Sequence, residues 1–158
     1  MLSIEPNPEM CVRIKQNVRL IADQMHEKNL TLILEDCAVG DQKGAMFLDL
    51  ASGPGGAHVV DSPTPMHIEV RVDRLLDVLR AHEIDRIDLL KIDVEGYEDR
   101  ALIPFFDEAD KGLFPKAIII EHASDRDWQG DLWGKLKAVG YQEVFRTRGN
   151  MVLRLVAR

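Results

Sequence analysis

Acidic side chains directly follow three apolar runs of this sequence. Glu5 ends the first run, Asp36 follows the second, and Asp93 lies at the end of the third, within Lys91-Ile92-Asp93-Val94-Glu95-Gly96. In an open parallel sheet, ligands bind beyond the carboxyl ends of the strands. These three positions are therefore the first at which to look for a functional site.

The first two carboxylates suit the two halves of a nucleoside. Glu5 can accept hydrogen bonds from both hydroxyls of a ribose. Asp36 can hold the exocyclic amine of an adenine, with Cys37 and Ala38 forming a flat backbone ledge against the ring. The alternative for each acid is a loop or cap carboxylate that bonds only its own backbone, as is common in turns. The residues alone leave both interpretations open.

Charged residues alternate with apolar ones at the end of the third run. Alternation places Lys91 and Asp93 on one face of a strand. A lysine in a sheet covered on both sides must find a carboxylate partner or lose its proton, and Asp93, Glu95 and Glu121 are the candidates. The group is either a structural ion pair at the rim of the sheet or part of a catalytic site.

Two more titratable residues, Glu121 and His122, end the next apolar run and would lie beside Asp93 in a parallel sheet. Imidazole titrates near neutral pH, so His122 is a candidate for proton transfer, although a lone histidine is more often structural. The candidate general bases are Asp93, Glu121 and His122, in that order. No His, Cys and carboxylate group has the spacing of a zinc site, so no metal is expected.

The elements that would position these residues alternate between strands and helices. Helical spacing predicts helices over 9–25, 73–81, with Asp73 as its N-cap, 96–106 and 127–139. Apolar runs predict strands over 2–5, 30–34, 87–92 and 117–120. A hairpin-like insertion is predicted around 44–72 and a closing antiparallel pair over 142–145 and 151–156. The pattern indicates an α/β fold with a mainly parallel sheet and a C-terminal antiparallel pair.

Length and composition narrow the class of protein. A chain of 158 residues fits a single domain. Its net charge of -7 would repel phosphate backbones, so no nucleic-acid partner is expected, and no stretch approaches the ~20 apolar residues of a membrane span. Two cysteines and the absence of an export signal at the start indicate a reduced, cytoplasmic location.

Three motifs taken together resemble the FkbM family of methyltransferases, from residue 2 to about residue 121. They are Ile4-Glu5-Pro6-Asn7-Pro8, Asp36-Cys37-Ala38-Val39-Gly40-Asp41 and the run 88–98 with its Lys-Ile-Asp-Val-Glu-Gly core. The resemblance implies a Rossmann-like class I methyltransferase fold and S-adenosylmethionine as methyl donor. It also implies Glu5 on the ribose, Asp36 near the adenine, and Asp93 near the donor's methionyl end and the acceptor. Family members often methylate hydroxyls of sugars or natural products, so a small-molecule or glycan acceptor is expected.

The family pattern also places a strand and a glycine-rich loop before Glu5, and the sequence has no such segment. Residues 1–158 are therefore expected to form a single, N-terminally truncated methyltransferase domain. In the usual strand order the absent strand lies between strands 2–5 and 87–92, so two unpaired edges would favour association, for example as a homodimer.

Two other functions remain open. One is a non-catalytic fragment or remnant of such a domain that no longer binds the donor. The other is a nicotinamide-dependent oxidoreductase, because Glu5 would suit that ribose equally well, although nothing downstream resembles a hydride-transfer site.

Overall fold

The structure is a computed structural model that describes residues 1–25, 30–51, 53, 57–60 and 62–156. Its strands are β1 (Leu2–Ile4), β2 (Ile33–Glu35), β3 (Ala38–Gly40), β4 (Gly44–Asp49), β5 (His58–Val60), β6 (His67–Arg74), β7 (Leu89–Ile92), β8 (Ala117–Glu121), β9 (Tyr141–Arg146) and β10 (Asn150–Leu155). Its α-helices are α1 (Pro8–Met25), α2 (Leu75–Ala81), α3 (Glu98–Glu108) and α4 (Leu132–Val139). The chain divides into two compact units, which are Met1–Ala38 with Gly44–Val72, and Val39–Lys43 with Asp73–Arg158.

The first unit begins with a strand–helix–strand sequence. β1 and β2 pair in parallel, with Ile4 opposite Glu35. Buried Asn7 ends the turn between β1 and α1, where its side-chain oxygen accepts the Glu9 backbone N–H at 3.0 Å. Proline at the first helical position suits this turn, because its missing N–H would have no partner in the helix. Asn7 thus fixes the direction in which the chain leaves β1.

An antiparallel meander completes the first unit. β4 lies between β5 and β6 and pairs antiparallel with both, and the sheet order is β3-β6-β4-β5. Its inward side chains form a small apolar cluster of Ala38, Leu48, Val70 and Val72. Strands β4, β5 and β6 lie where the hairpin-like insertion was predicted, and β5 is a third strand beside the two of a hairpin. Residues 52, 54–56 and 61 of this segment lie outside the described residues.

The second unit contains the sheet β7-β8-β10-β9. β7 and β8 are parallel, whereas β10 is antiparallel to both β8 and β9. The largest fully buried apolar side chains of this unit come from β8, α3 and α4, and they are Ile118, Ile120, Leu102, Phe105, Leu132 and Leu136. Burying each such side chain contributes about 1.5–3 kcal/mol, so this core holds β8 in place.

Several predicted features differ from the structure. The sheets are mixed, so the mainly parallel arrangement is confirmed only for β1–β2 and β7–β8. The predicted Asp73 N-cap is wrong, because β6 continues to Arg74 and α2 begins there without a side-chain cap. Asp73 instead lies 3.7 Å from the Lys43 ammonium. After β2 the chain forms the short strand β3, which the apolar runs did not predict.

Candidate functional site

In the first unit, Glu5 directly follows β1, and its carboxylate is held by the turn. Its Oε1 accepts the Asn7 N–H at 2.8 Å, and its own N–H donates to the Glu35 carbonyl at 2.9 Å. The Cys11 thiol donates to the Glu5 carbonyl at 3.1 Å. Burial raises the pKa of Glu5 above its ordinary value, and the hydrogen bond from Asn7 opposes that shift. Glu5 is thus a half-buried, oriented carboxylate at the carboxyl end of a strand.

Asp36 lies at the same edge, because β1 and β2 are parallel and Ile4 is opposite Glu35. Its side chain is 86% exposed, and the Arg71 guanidinium lies 3.6 Å from it and 2.7 Å from Glu35. The two residues that follow are buried. Cys37 is 0% exposed and Ala38 is 5% exposed, so the predicted backbone ledge is covered in this structure and stays a prediction.

In the second unit, Lys91 and Asp93 form an ion pair at the carboxyl end of β7. The Lys91 Nζ lies 2.8 Å from Asp93 Oδ2, so Asp93 is the partner among the three predicted candidates. The Lys91 and Asp93 side chains are 56% and 36% exposed. The sheet is therefore not covered on both faces at Lys91, and solvent screens the pair.

Glu121 and His122 lie at the same edge as Asp93, because Ile92 is opposite Ile120 in the parallel β7–β8 pair. Glu121 Oε1 accepts the Ala123 N–H at 2.6 Å. Glu121 Oε2 is buried and finds no hydrogen-bond partner within the described part of the chain. A buried acceptor without a donor costs about 1–3 kcal/mol, so it marks a place where a donor group would be stabilised.

His122 contacts the turn between β9 and β10 through two carbonyl groups. Its backbone N–H donates to the Gly149 carbonyl at 2.9 Å, and its Nε2 lies 3.3 Å from the Thr147 carbonyl oxygen. A nitrogen that faces a carbonyl is the protonated one in neutral imidazole, which leaves Nδ1 as the basic nitrogen. The structure thus brings together the three predicted candidates for proton transfer along one edge.

Two residues at this edge were missed by the sequence reasoning. Asn150 lies opposite Glu121 in the β8–β10 pair, and its Oδ1 is also buried without a partner among the described residues. Glu98 is fully buried in the first turn of α3 and accepts the N–H groups of Val94 and Gly96. An acid two residues after a glycine turn is a weak signal for this role, and nothing in the sequence pairs Asn150 with Glu121.

Within the described ranges, no group of three or more His, Cys, Asp or Glu residues is arranged to hold a metal ion. None of the helices described is long and apolar enough to cross a membrane.

Comparison with known proteins identifies the protein family to which the chain belongs. Residues 1–143 match the family model of the methyltransferase FkbM domain. The match covers most of the chain, and the protein belongs to the FkbM methyltransferase family. The predicted family resemblance is therefore confirmed.

A solved structure shares the fold. It is the 2.20 Å crystal structure of methyltransferase FkbM from Methylobacillus flagellatus KT, with a TM-score of 0.61 and 16% sequence identity. The similarity covers 97% of this chain and 36% of that one, so the chain spans about a third of that protein's length. No curated protein matches the chain.

Proposed function

We propose that this chain carries the donor and acceptor residues of an S-adenosylmethionine-dependent O-methyltransferase with a Rossmann-like fold. Membership of the FkbM family implies methyl transfer. The observation that carries the finer proposal is the edge of the second unit, where Asp93, Glu121 and His122 lie at the carboxyl ends of two adjacent parallel strands. Ligands of open α/β sheets bind at this kind of edge.

The first unit supplies the proposed contacts to the nucleoside end of the donor. The half-buried, oriented Glu5 would accept hydrogen bonds from the ribose hydroxyls. The exposed Asp36 carboxylate would accept from the adenine amine, and the backbone of Cys37 and Ala38 would face the ring once the residues covering it move. Both carboxylates lie at one edge of the β1–β2 pair, as such a ligand requires.

The second unit supplies the proposed contacts to the acceptor. The donor provides an electrophilic methyl group on a sulfonium, so the acceptor hydroxyl must lose its proton as its oxygen attacks. A base within hydrogen-bond reach can take that proton. Asp93 is the first candidate because it is accessible beside Lys91, and Glu121 at the end of the adjacent strand β8 is the second. His122 is the third, with Nδ1 as the basic nitrogen.

We propose a sugar or other small molecule with a free hydroxyl as the acceptor. The net charge of -7 disfavours a nucleic-acid substrate. Cys11 and Cys37 are free and buried, which supports a reducing, cytoplasmic location.

The second candidate function is a non-catalytic remnant. It is supported by the pairing of β1 with β2 alone and of β7 with β8 alone among the described strands.

Isothermal titration with S-adenosylmethionine and with its demethylated product separates the two functions. Micromolar binding of both supports the methyltransferase. Absence of binding by a folded chain, shown by its thermal melt, supports the remnant.

A further inference from the structure

A fully buried carboxylate, Glu98, lies behind the turn that follows β7. Its Oε1 accepts the Val94 N–H at 2.8 Å, and its Oε2 accepts the Gly96 N–H at 3.2 Å. The Trp128 indole N–H donates to Oε2 at 2.8 Å. Glu98 is 0% exposed. All three partners are N–H donors, and both carboxyl oxygens of Glu98 act as acceptors.

The turn held by Glu98 needs external support, because its backbone is strained. Glu95 has a φ of 53° and Gly96 a φ of 97°. A non-glycine residue in the left-handed region costs about 1 kcal/mol or more and persists only where its surroundings fix it. The backbone N–H groups of Val94 and Gly96 in this turn donate to the Glu98 carboxylate, and these hydrogen bonds offset the strain.

Glu98 also joins this turn to the segment that follows β8. Trp128 lies in that segment, and a Cβ placed on Gly96 would lie 3.4 Å from the Asp127 Cβ. The turn after β7 carries Asp93, and the segment after β8 begins next to His122. The Glu98 carboxylate therefore connects the segment that carries Asp93 to the segment that follows His122.

We propose that Glu98 is a positioning residue that fixes Asp93 by holding the Val94–Gly96 backbone against the Trp128 segment. It touches neither donor nor acceptor. Its effect on methyl transfer rests on the proposed function, whereas its hold on the turn does not.

The neighbouring Asp99 provides a matched control. It is also buried in the first turn of α3, and its Oδ2 accepts the N–H groups of Gln129 and Gly130 at 2.7 Å each. Asp99 thus supports the start of the α4 region and makes no hydrogen bond to the turn after β7. Glu98→Gln and Asp99→Asn each replace one carboxylate by an isosteric amide.

The test is native-state amide hydrogen exchange on the 158-residue chain, with global stability measured by urea unfolding. In Glu98→Gln, an NH₂ group must face at least one N–H donor, so protection of Val94, Gly96 or both should fall about tenfold beyond the global change. In Asp99→Asn, the amide oxygen can take the place of Oδ2 and still accept from Gln129 and Gly130, because Oδ1 has no partner among the described residues. All four amides, Val94 and Gly96 included, should therefore keep their protection within about twofold of the global change. If Glu98→Gln does not fold, Glu98→Asp keeps the carboxyl group but withdraws it from the turn, and the same loss is expected.

Protection of both amides within twofold of the parent in the Glu98 variant would overturn the proposal. So would an equal loss at Val94 and Gly96 in Asp99→Asn. Donor titration and turnover form a separate arm, in which Glu98→Gln should lower kcat at least about tenfold more than Asp99→Asn does. If the parent binds no donor, the proposed function fails for this chain, and the exchange data still decide the role of Glu98.

Discussion

Replacing Asp93 by Asn should lower turnover far more than it lowers fold stability. The Lys91–Asp93 pair spans 2.8 Å, with side chains that are 56% and 36% exposed. Exposed pairs of this kind contribute about 0.2–1 kcal/mol, and each kcal/mol shifts the Tm of a domain of this size by about 2–4 °C. The Tm should therefore fall by at most about 4 °C. Loss of a general base lowers the rate by about 10²–10⁴-fold, which corresponds to about 3–5 kcal/mol.

The assay is transfer of a labelled methyl group by a version of the protein shown to be active, beside thermal melts of the same preparations. Asp88→Asn is the matched control, because Asp88 precedes β7 at the opposite end. Asp88 is 58% exposed and pairs with Lys116 at 2.6 Å and Arg86 at 3.2 Å. The Asp88→Asn variant should lose about as much stability as Asp93→Asn and keep its turnover within about twofold of the parent. Near-normal turnover in Asp93→Asn, or an equal loss in both variants, would remove Asp93 from the site.

The other predictions concern Glu5 and the edges of β1 and β7. Glu5→Ala should weaken donor binding by about 1–3 kcal/mol, and calorimetry should show that the variant no longer distinguishes the donor from its 2′-deoxy analogue. Burial raises the pKa of Glu5, so this group adds stability below its unfolded pKa that is lost as pH rises through the folded pKa. Glu5→Gln should therefore raise the Tm more at pH 7 than at pH 4, and the opposite order would contradict the burial. Adding a strand and a glycine-rich turn at the open edge of β1 should strengthen donor binding and reduce self-association in light scattering, and equal donor binding and self-association with and without the added strand would contradict this.

Elements with a strong local pattern could be predicted from the sequence. The consecutive apolar residues of β7 and β8, the helical spacing of α1 and the C-terminal β9–β10 pair were all predicted within a few residues. Their periodicity reflects one buried face each, which the order of residues records directly.

Elements that depend on distant partners could not be predicted. β3 is only three residues long, and its buried Ala38 packs with Leu48, Val70 and Val72 of the meander. Short runs of this kind carry no period of their own. Asp73 has the residue type of an N-cap, but β6 continues through it because its pairing with β4 reaches Val72. Tertiary pairing overrides local preference at both places.

The candidate site shows the same division between local and distant information. Alternation along one strand predicted that Lys91 and Asp93 share a face, and the 2.8 Å contact agrees. Glu98 has the sequence context of an ordinary acid in the first turn of a helix, where the helix dipole favours negative charge. Its three N–H donors come from two separate segments, so only the folded chain shows its role.

Among the described strands, β1 and β7 each have one unpaired edge, and they carry the proposed donor ligand Glu5 and the proposed base Asp93. Glu5 directly follows β1 and Asp93 directly follows β7, and among the described residues each strand is paired on one side only. On β7, Leu89 is 56% exposed, which is costly for an apolar side chain. A strand added to either edge would bond the open backbone groups and bring new N–H groups close to the carboxylate at its end. Strand addition should therefore stabilise each unit and strengthen donor binding together, because a ligand that binds only the completed edge also stabilises it by mass action.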